Sequence, residues 1–335
     1  MNRTRRAELA ALTALGLAGC QSAPVTLHSA SLAADRIARL GWFMTALGAL
    51  ILLTVIVIQW LSVRRGLERD PVAVDLGPHK PSWIVWGGAV MPTVVLVIVF
   101  LVGSSALGRF PVRANASDLV VHVSGRQWWW RFEYDGRNPG DEVVTANELH
   151  IPVGKSVRLL LTSQDVIHSF WVPALQGKLD LIPGDTNELR LIAERPGRYD
   201  GRCAEFCGVQ HAHMSFTVVA ESPDDFERWL AGQQAPAREP TDSETLAGRQ
   251  LVVGGACAFC HRIKGTEANG RVAPDLTHLA SRATIASGTL PNTPGYLEAW
   301  ITNAPSLKPG TQMPALPQFS GRELRAITAY LRSLN

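Results

Sequence analysis

Cys203-Ala204-Glu205-Phe206-Cys207-Gly208-Val209-Gln210-His211-Ala212-His213-Met214 places two thiols, two imidazoles and a thioether within one short loop. Upstream, Asp165-Val166-Ile167-His168-Ser169-Phe170 adds another imidazole. Thiolate, imidazole and thioether together are soft donors suited to copper. A closed zinc site takes four Cys or His ligands and has no use for methionine. Cysteines at i and i+4 on a tight loop can point both sulfurs into one cavity and so bridge two metal ions. The alternatives are a Cys203–Cys207 disulfide, since an exported domain meets an oxidising compartment, and simple packing of His211 and Met214. Methionine usage argues against packing. Of 5 Met, one is the initiator, Met44 and Met91 lie in long apolar runs, and only Met214 and Met313 remain, each in a cofactor-like motif. His213 has no partner motif of its own and reads as a surface residue.

The residues around this loop have the two-residue period of β-structure. Val121 and Val123, then Val157, Leu159 and Leu161, alternate with polar or oppositely facing neighbours. Asn138-Pro139-Gly140, Pro152-Val153-Gly154, Pro183-Gly184 and Pro196-Gly197 separate the runs as turns. Short strands at this spacing predict an all-β sandwich or barrel over 115–220, ending near Val219. Residues 221–243 read as a connection, most linker-like from Gln233 to Pro240. Beyond it, 244–335 turns helical. Thr293-Pro294 starts one helix, and Ser320 with Glu323 forms a capping box ahead of an amphipathic last helix.

This helical module contains Cys257-Ala258-Phe259-Cys260-His261, a covalent c-type haem attachment motif. Two thiols three apart reach the two vinyl groups of one porphyrin, and the adjacent histidine meets the iron from one face. Met313, in Thr311-Gln312-Met313-Pro314, is the candidate opposite ligand, a pairing that raises the potential. His278 is a rival, and otherwise reads as a surface histidine.

Towards the N-terminus the chain becomes membrane-like. Arg3, Arg5 and Arg6, a short apolar run and Leu17-Ala18-Gly19-Cys20 read as an export signal over 1–20. That ending resembles the lipobox of bacterial lipoproteins, which implies lipidation at Cys20. A hairpin follows over 35–108, with apolar spans at 41–61 and 83–107 and Pro92 as an expected kink. Trp42, Trp60, Trp83 and Trp86 mark the span ends. The connecting loop has Arg64, Arg65, Arg69 and Lys80, against Arg36 and Arg39 on one outer flank and Arg109 and Arg113 on the other. Positive charge thus favours a cytoplasmic loop and outer-side domains. Composition excludes other classes. A net charge of +3 gives no reason to expect a nucleic-acid partner, 29 Gly and 21 Pro exclude an all-helical bundle, and 5 Cys are too few for a disulfide framework.

Cys-x-x-x-Cys-x-x-x-His-x-x-Met with its upstream His-Ser-aromatic resembles the binuclear copper A (CuA) site of cytochrome c oxidase subunit II. Gln127-Trp128-Trp129-Trp130-Arg131-Phe132-Glu133-Tyr134 is similar to that family's aromatic stretch, and the hairpin ahead of a cupredoxin barrel fits it too; the match covers about residues 35–220. The resemblance implies that Cys203 and Cys207 bridge two coppers, with His168, His211, Met214 and the backbone carbonyl of Glu205 completing the ligation. It implies a magnesium ligand in the Glu205 side chain at the boundary with subunit I, and electron entry through Trp128. Trp129 and Trp130 read equally well as core. With protein ligands filling both coppers, no position is open to substrate, so the site is an electron carrier.

The helical module resembles a class I cytochrome c, and its fusion behind a CuA domain is what marks subunit II of the caa3-type haem–copper oxidases. That implies a multi-pass protein of the bacterial inner membrane with both domains on the periplasmic side. It also implies a relay from an external donor (cytochrome c or a cytochrome bc complex) through haem c and CuA to haem a of subunit I. There, oxygen is reduced to water and protons are pumped. Other oxidase subunits are implied partners. Of the rivals, a quinol oxidase subunit II lacks the copper ligands, and nitrous oxide reductase needs a histidine-rich second copper domain. A copper-delivery assembly protein needs neither Met214 nor a haem domain. A CuA subunit of a nitric oxide reductase differs only in its partner chain. One departure from the family is Ser82-Trp83, where many members have a glutamate near a proton channel.

Overall fold

The computed structural model describes residues 29–67, 82–107, 119–136 and 141–335. The export signal, Cys20, Arg69, Lys80, Arg109, Arg113 and the turn at 138–140 lie outside the described residues.

Helix α1 (Leu32–Leu67) extends well past both ends of the expected 41–61 span. A second apolar stretch runs through α2 (Ser82–Val85), a wide-turn segment Trp86–Val90 and α3 (Met91–Leu107). The widened turn lies just before Pro92, where the expectation placed a kink. Proline has no N–H to offer and its ring would press on the carbonyl four residues back; the backbone answers with a bond from Met91 N to Trp86 O. Leu52, Leu53, Leu96 and Phe100 are all exposed, as lipid-facing side chains are. The hydroxyls of Thr45, Thr54 and Thr93 each donate to the carbonyl four residues earlier at 2.7–2.8 Å, leaving no polar hydrogen for an apolar medium.

The β-domain is a two-sheet sandwich. One sheet has β1 (Leu119–Arg126), β2 (Trp129–Tyr134), β3 (Val143–Ala146), β5 (Val157–Ser163) and β8 (Asn187–Leu191), in the order β3-β2-β1-β5-β8. The other has β4 (Glu148–Pro152), β6 (His168–Trp171), β7 (Leu179–Leu181), β9 (Gly197–Cys203) and β10 (Ser215–Glu221), in the order β4-β10-β9-β6-β7. β1 pairs in parallel with β5, and β4 with β10; the other pairings are antiparallel. Val157, Leu159 and Leu161 are fully buried, as their alternation predicts. Trp130, Phe170 and Phe216 form the centre, with ring centroids 4.7 Å apart for Phe170–Phe216 and 5.0 Å for Trp130–Phe216. Gly201 is required there, because a Cβ would sit 2.2 Å from Cζ of Phe216.

The expected connection over 221–243 is largely structured. Residues Pro223–Gln234 form α4, capped by Ser222, whose hydroxyl accepts from Asp225 N. Phe226, Trp229 and Leu230 pack this helix onto the β-core, leaving only 235–242 as the link to the next helix. The apolar i, i+3, i+4 spacing inside the segment is what overrides its linker-like composition.

The cytochrome-like module consists of α5 (Ser243–Val253), the one-turn α6 (Cys257–Cys260), α7 (Pro294–Leu307) and α8 (Gly321–Ser333). The capping box on α8 forms as predicted. Thr293 holds the N-cap position of α7 but its hydroxyl makes no capping bond, and this helix breaks at Asn303 ahead of Pro305. Val252, Ile263, Leu297, Ile301, Ile327 and Leu331 form a separate, smaller core.

Candidate metal and cofactor sites

The strands bring the sequence-predicted copper donors together. β6 begins at His168, β9 ends at Cys203, and β10 starts just after Met214, so one end of the second sheet presents all three. Phe170 pairs with Cys203, and Cys203 N donates to Met214 O at 3.0 Å, which fixes the register. The two sulfurs stand 3.7 Å apart as free thiols, far beyond the ~2.05 Å of a disulfide. Around them, Nδ1 of His168 lies 3.8 Å from Cys203 Sγ, Nδ1 of His211 3.7 Å from Cys207 Sγ, and Met214 Sδ 3.8 Å from Cys207 Sγ. The backbone carbonyl of Glu205 comes within 3.2 Å of Cys203 Sγ. Ligand atoms of His168, Cys203 and Cys207 all lie within 4.8 Å of one another, and all three residues are buried.

The surroundings hold these donors still. Asp165 accepts from His168 Nε2 at 2.8 Å, turning Nδ1 towards the sulfurs. The other oxygen of Asp165 accepts from Gln127 N at 2.6 Å. Gln127 Nε2 and the Trp128 indole both donate to the Cys207 carbonyl, at 2.7 and 2.9 Å. Gly125 leaves room for the imidazole: a Cβ there would lie 2.7 Å from His168 Cδ2. Electrostatics follow the same contacts. Cys203 is held well below the usual thiol range, chiefly by the hydrogen bond from Cys207, which is itself pushed up. Burial alone would lower His168, but the neighbouring Cys203 and Asp165 outweigh it and its pKa is raised.

His213, predicted as surface, is exposed; the residues 211–213 form a tight turn rather than a strand, so it does not share a face with His211. The Glu205 carboxylate is half exposed and pairs with Lys178 at 3.4 Å.

In the helical module, Cys257, Cys260, His261 and Met313 line a largely apolar cavity of about 250 Å³ together with Leu297 and Trp300. His261 Nδ1 donates to the Pro274 carbonyl at 2.7 Å, which leaves Nε2 as the free acceptor. Burial lowers its pKa and so favours the neutral, ligating imidazole. Gly270 is packed so closely on the attachment turn that a Cβ would be 2.4 Å from the Cys260 carbonyl carbon. His278 corrects its alternatives: it is buried rather than on the surface, it is outside the cavity lining, and its Nε2 donates to Ala235 O at 3.1 Å. The same cavity is lined by Gln127, Trp128 and Trp129 of the β-domain. Trp130, by contrast, is fully buried in the β-core.

The family model for the periplasmic domain of cytochrome c oxidase subunit II matches residues 140–221, and that for cytochrome c matches 246–335. The chain is 36% identical over 296 residues to cytochrome c oxidase subunit 2 of Alkalihalophilus pseudofirmus, covering 86% of this chain and 83% of that protein. The chain belongs to the cytochrome c oxidase subunit II family. Within it, the Bacillus sp. (strain PS3) subunit 2 is 30% identical over 292 residues, covering 81% of this chain and 79% of that one. The periplasmic domain of subunit II (CoxB) from Bradyrhizobium japonicum is 29% identical, covering 36% of this chain and 97% of that one with a TM-score of 0.34. The chain is thus a subunit of a haem–copper oxidase, an oxidoreductase, with a fused cytochrome c domain; the two domains imply copper and haem c.

Sequence reasoning missed Asp165, Gln127 and Lys308. Asp165 carried a readable signal, a carboxylate three residues before His168. Lys308 carried none: its amino group reaches carbonyls 95 and 180 residues away.

Proposed function

We propose that the chain is the electron-accepting relay of a caa3-type oxidase. It takes electrons from an external donor, cytochrome c or a cytochrome bc complex, at its cytochrome domain. It passes them to the copper loop and on to haem a of subunit I, where oxygen is reduced to water and protons are pumped. Cys203, Cys207, His168, His211, Met214 and the Glu205 carbonyl would hold two coppers; Cys257 and Cys260 would bond one haem covalently, with His261 and Met313 at its iron. The Glu205 carboxylate, at the surface beside Lys178, would serve a magnesium ion shared with subunit I. We assign residues 1–20 to an export signal lipidated at Cys20, 35–108 to a two-span anchor, 115–220 to the copper domain and 244–335 to the cytochrome domain. Both domains then lie outside the bacterial inner membrane.

When bound, copper and haem supply one-electron chemistry; the chain supplies position and rigidity. Six donors, five from the loop and His168 from β6, would leave no coordination site for a substrate. Asp165 fixes the His168 ring, and Gln127 and Trp128 fix the Cys207 carbonyl, so little moves when charge changes. His261 keeps its lone pair on Nε2 because Nδ1 is spent on Pro274.

One observation carries the relay. Trp128 lines the cavity that contains His261 and Met313 while its indole N–H is bonded to the carbonyl of Cys207. A single side chain therefore touches both sites. Metal and haem content with electron paramagnetic resonance on the purified full chain tests the reading. The expected result is two coppers and one covalent haem, with a mixed-valence copper signal abolished by Cys203→Ser or Cys207→Ser. One copper per chain, or haem extracted by acid acetone, contradicts it.

A further inference from the structure

Lys308 is 3% exposed, although lysine is rarely buried without a partner. Its amino group donates to three backbone carbonyls: Trp128 O at 2.9 Å, His213 O at 2.8 Å and Ala286 O at 3.2 Å. The first two belong to the copper domain, on the turn before β2 and on the copper loop; the third belongs to the cytochrome domain. In its protonated form the group has three N–H donors for the three carbonyls, and these bonds act against a burial that pushes its pKa down to about 7. The residues that follow it extend the same junction. Pro309 O accepts from Gln210 Nε2 at 2.7 Å, and Gly310, at φ +87°, packs so tightly that a Cβ would lie 2.8 Å from Val209. Nearby, Ser287 bonds to Asn147 at 2.9 Å through its hydroxyl, and its carbonyl accepts from Ser215 N at 3.2 Å.

We propose that Lys308 is a positioning residue for electron transfer between the two domains, an ammonium latch that holds the cytochrome domain against the Gln127–Trp128 turn and the copper loop. The inference rests on the relay reading above and adds to it the group that sets the docking geometry. Lys308 lines the cavity that contains His261 and Met313, but its hydrogen bonds go to backbone carbonyls rather than to a proposed metal donor. It grips Trp128 by the backbone carbonyl while the indole of that residue is gripped by Cys207, so the side chain facing the haem cavity is fixed at both ends. The step it serves moves one electron from the reduced haem to the oxidised copper pair; no proton or covalent bond changes place.

The test uses the full holo-chain and Lys308→Met, which keeps the length of the side chain and removes every donor. Amide hydrogen exchange reads docking directly at Ser215, whose N–H bonds across the junction to Ser287, and at Ala283, whose N–H bonds to Glu148. Both amides should lose at least about tenfold in protection, since buried carbonyls left without a donor penalise the docked state. Haem-to-copper electron transfer should slow by a similar factor beyond what any change in driving force accounts for, measured from both midpoint potentials, while both optical spectra stay unchanged. In Lys308→Ala, added ethylammonium should restore protection and rate, and tetramethylammonium, which has no N–H, should not. Unchanged protection in Lys308→Met, or slowed transfer with protection intact, overturns the proposal, as does equal rescue by both amines. Should Lys308→Met fail to fold, Gln210→Leu removes the adjacent link and should give the same losses in smaller degree; no loss there counts against the latch. Failure of the relay reading itself would appear separately, as missing copper or haem signals, because amide exchange requires neither.

Discussion

The proposed copper loop and the proposed haem cavity would meet the same task, holding a redox centre, in opposite ways. The copper donors stand on a finished β-sandwich: their spacing is set by strand register, and their orientation by Asp165, Gln127 and Trp128. The core beneath them, centred on Trp130 and Phe216, is complete without metal. The cytochrome domain is instead wrapped around a cavity of about 250 Å³, and Leu297 and Ile301 belong both to its small core and to the cavity wall. One site is built on a core; the other needs its cofactor to complete one. Metal loss should therefore silence the first and unfold the second.

The largest effect expected from this contrast is on the double variant Cys257→Ser/Cys260→Ser. Without covalent haem, the helical domain should lose its own cooperative transition in scanning calorimetry, since a group bound only by the folded state contributes its binding free energy to stability. The β-domain transition should stay near its original temperature. Two intact transitions would show that the helical domain folds without its cofactor. A smaller effect is expected from Gly125→Ala. The new Cβ would meet His168 Cδ2 at 2.7 Å, so the ring must shift, and copper affinity should fall by about 10- to 100-fold as for lost positioning around a ligand. Metal titration would measure this, with the haem spectrum as an unchanged control.

The smallest effect concerns pH. Burial would lower His150, but its bonds to Glu148 and Glu221, the latter at 2.6 Å, outweigh it and raise its pKa. A raised histidine stabilises fully below its unfolded value of about 6.5, and that contribution fades as pH rises through the folded value. Glu148 is lowered by His150, Ala283 and Arg198 against the opposing effect of burial, so its contribution holds above its unfolded value and fades in acid. The β-domain should thus lose about 1 kcal/mol or less from His150 as pH climbs above neutrality. Glu221→Gln should flatten that loss in denaturant titrations. An unchanged slope would remove His150 as its source.

These two regions also differ in how much of them could be read in advance. The clustering of the candidate donors was legible because four of them lie within twelve residues. The strand alternation at Val157, Leu159 and Leu161 and the capping box at Ser320 were legible for the same reason: both depend on neighbours in sequence. The helix at Pro223–Gln234 was hidden by the polar residues around its few apolar contacts. His278 looked like a ligand or a surface residue, and only tertiary packing against Ala235 decides that it is neither. Lys308 was beyond reach, because nothing near Lys308-Pro309-Gly310 marks the three carbonyls that converge on it.

On the proposed relay, electrons cross within a single chain, between two domains docked through Trp128. Pulsed reduction of the haem in the isolated holo-chain, followed at the haem and copper absorption bands, tests it most directly. Haem reoxidation and copper reduction should proceed together in one first-order phase whose rate does not change with protein concentration. A rate that scales with concentration, or haem that stays reduced beside oxidised copper, would contradict it.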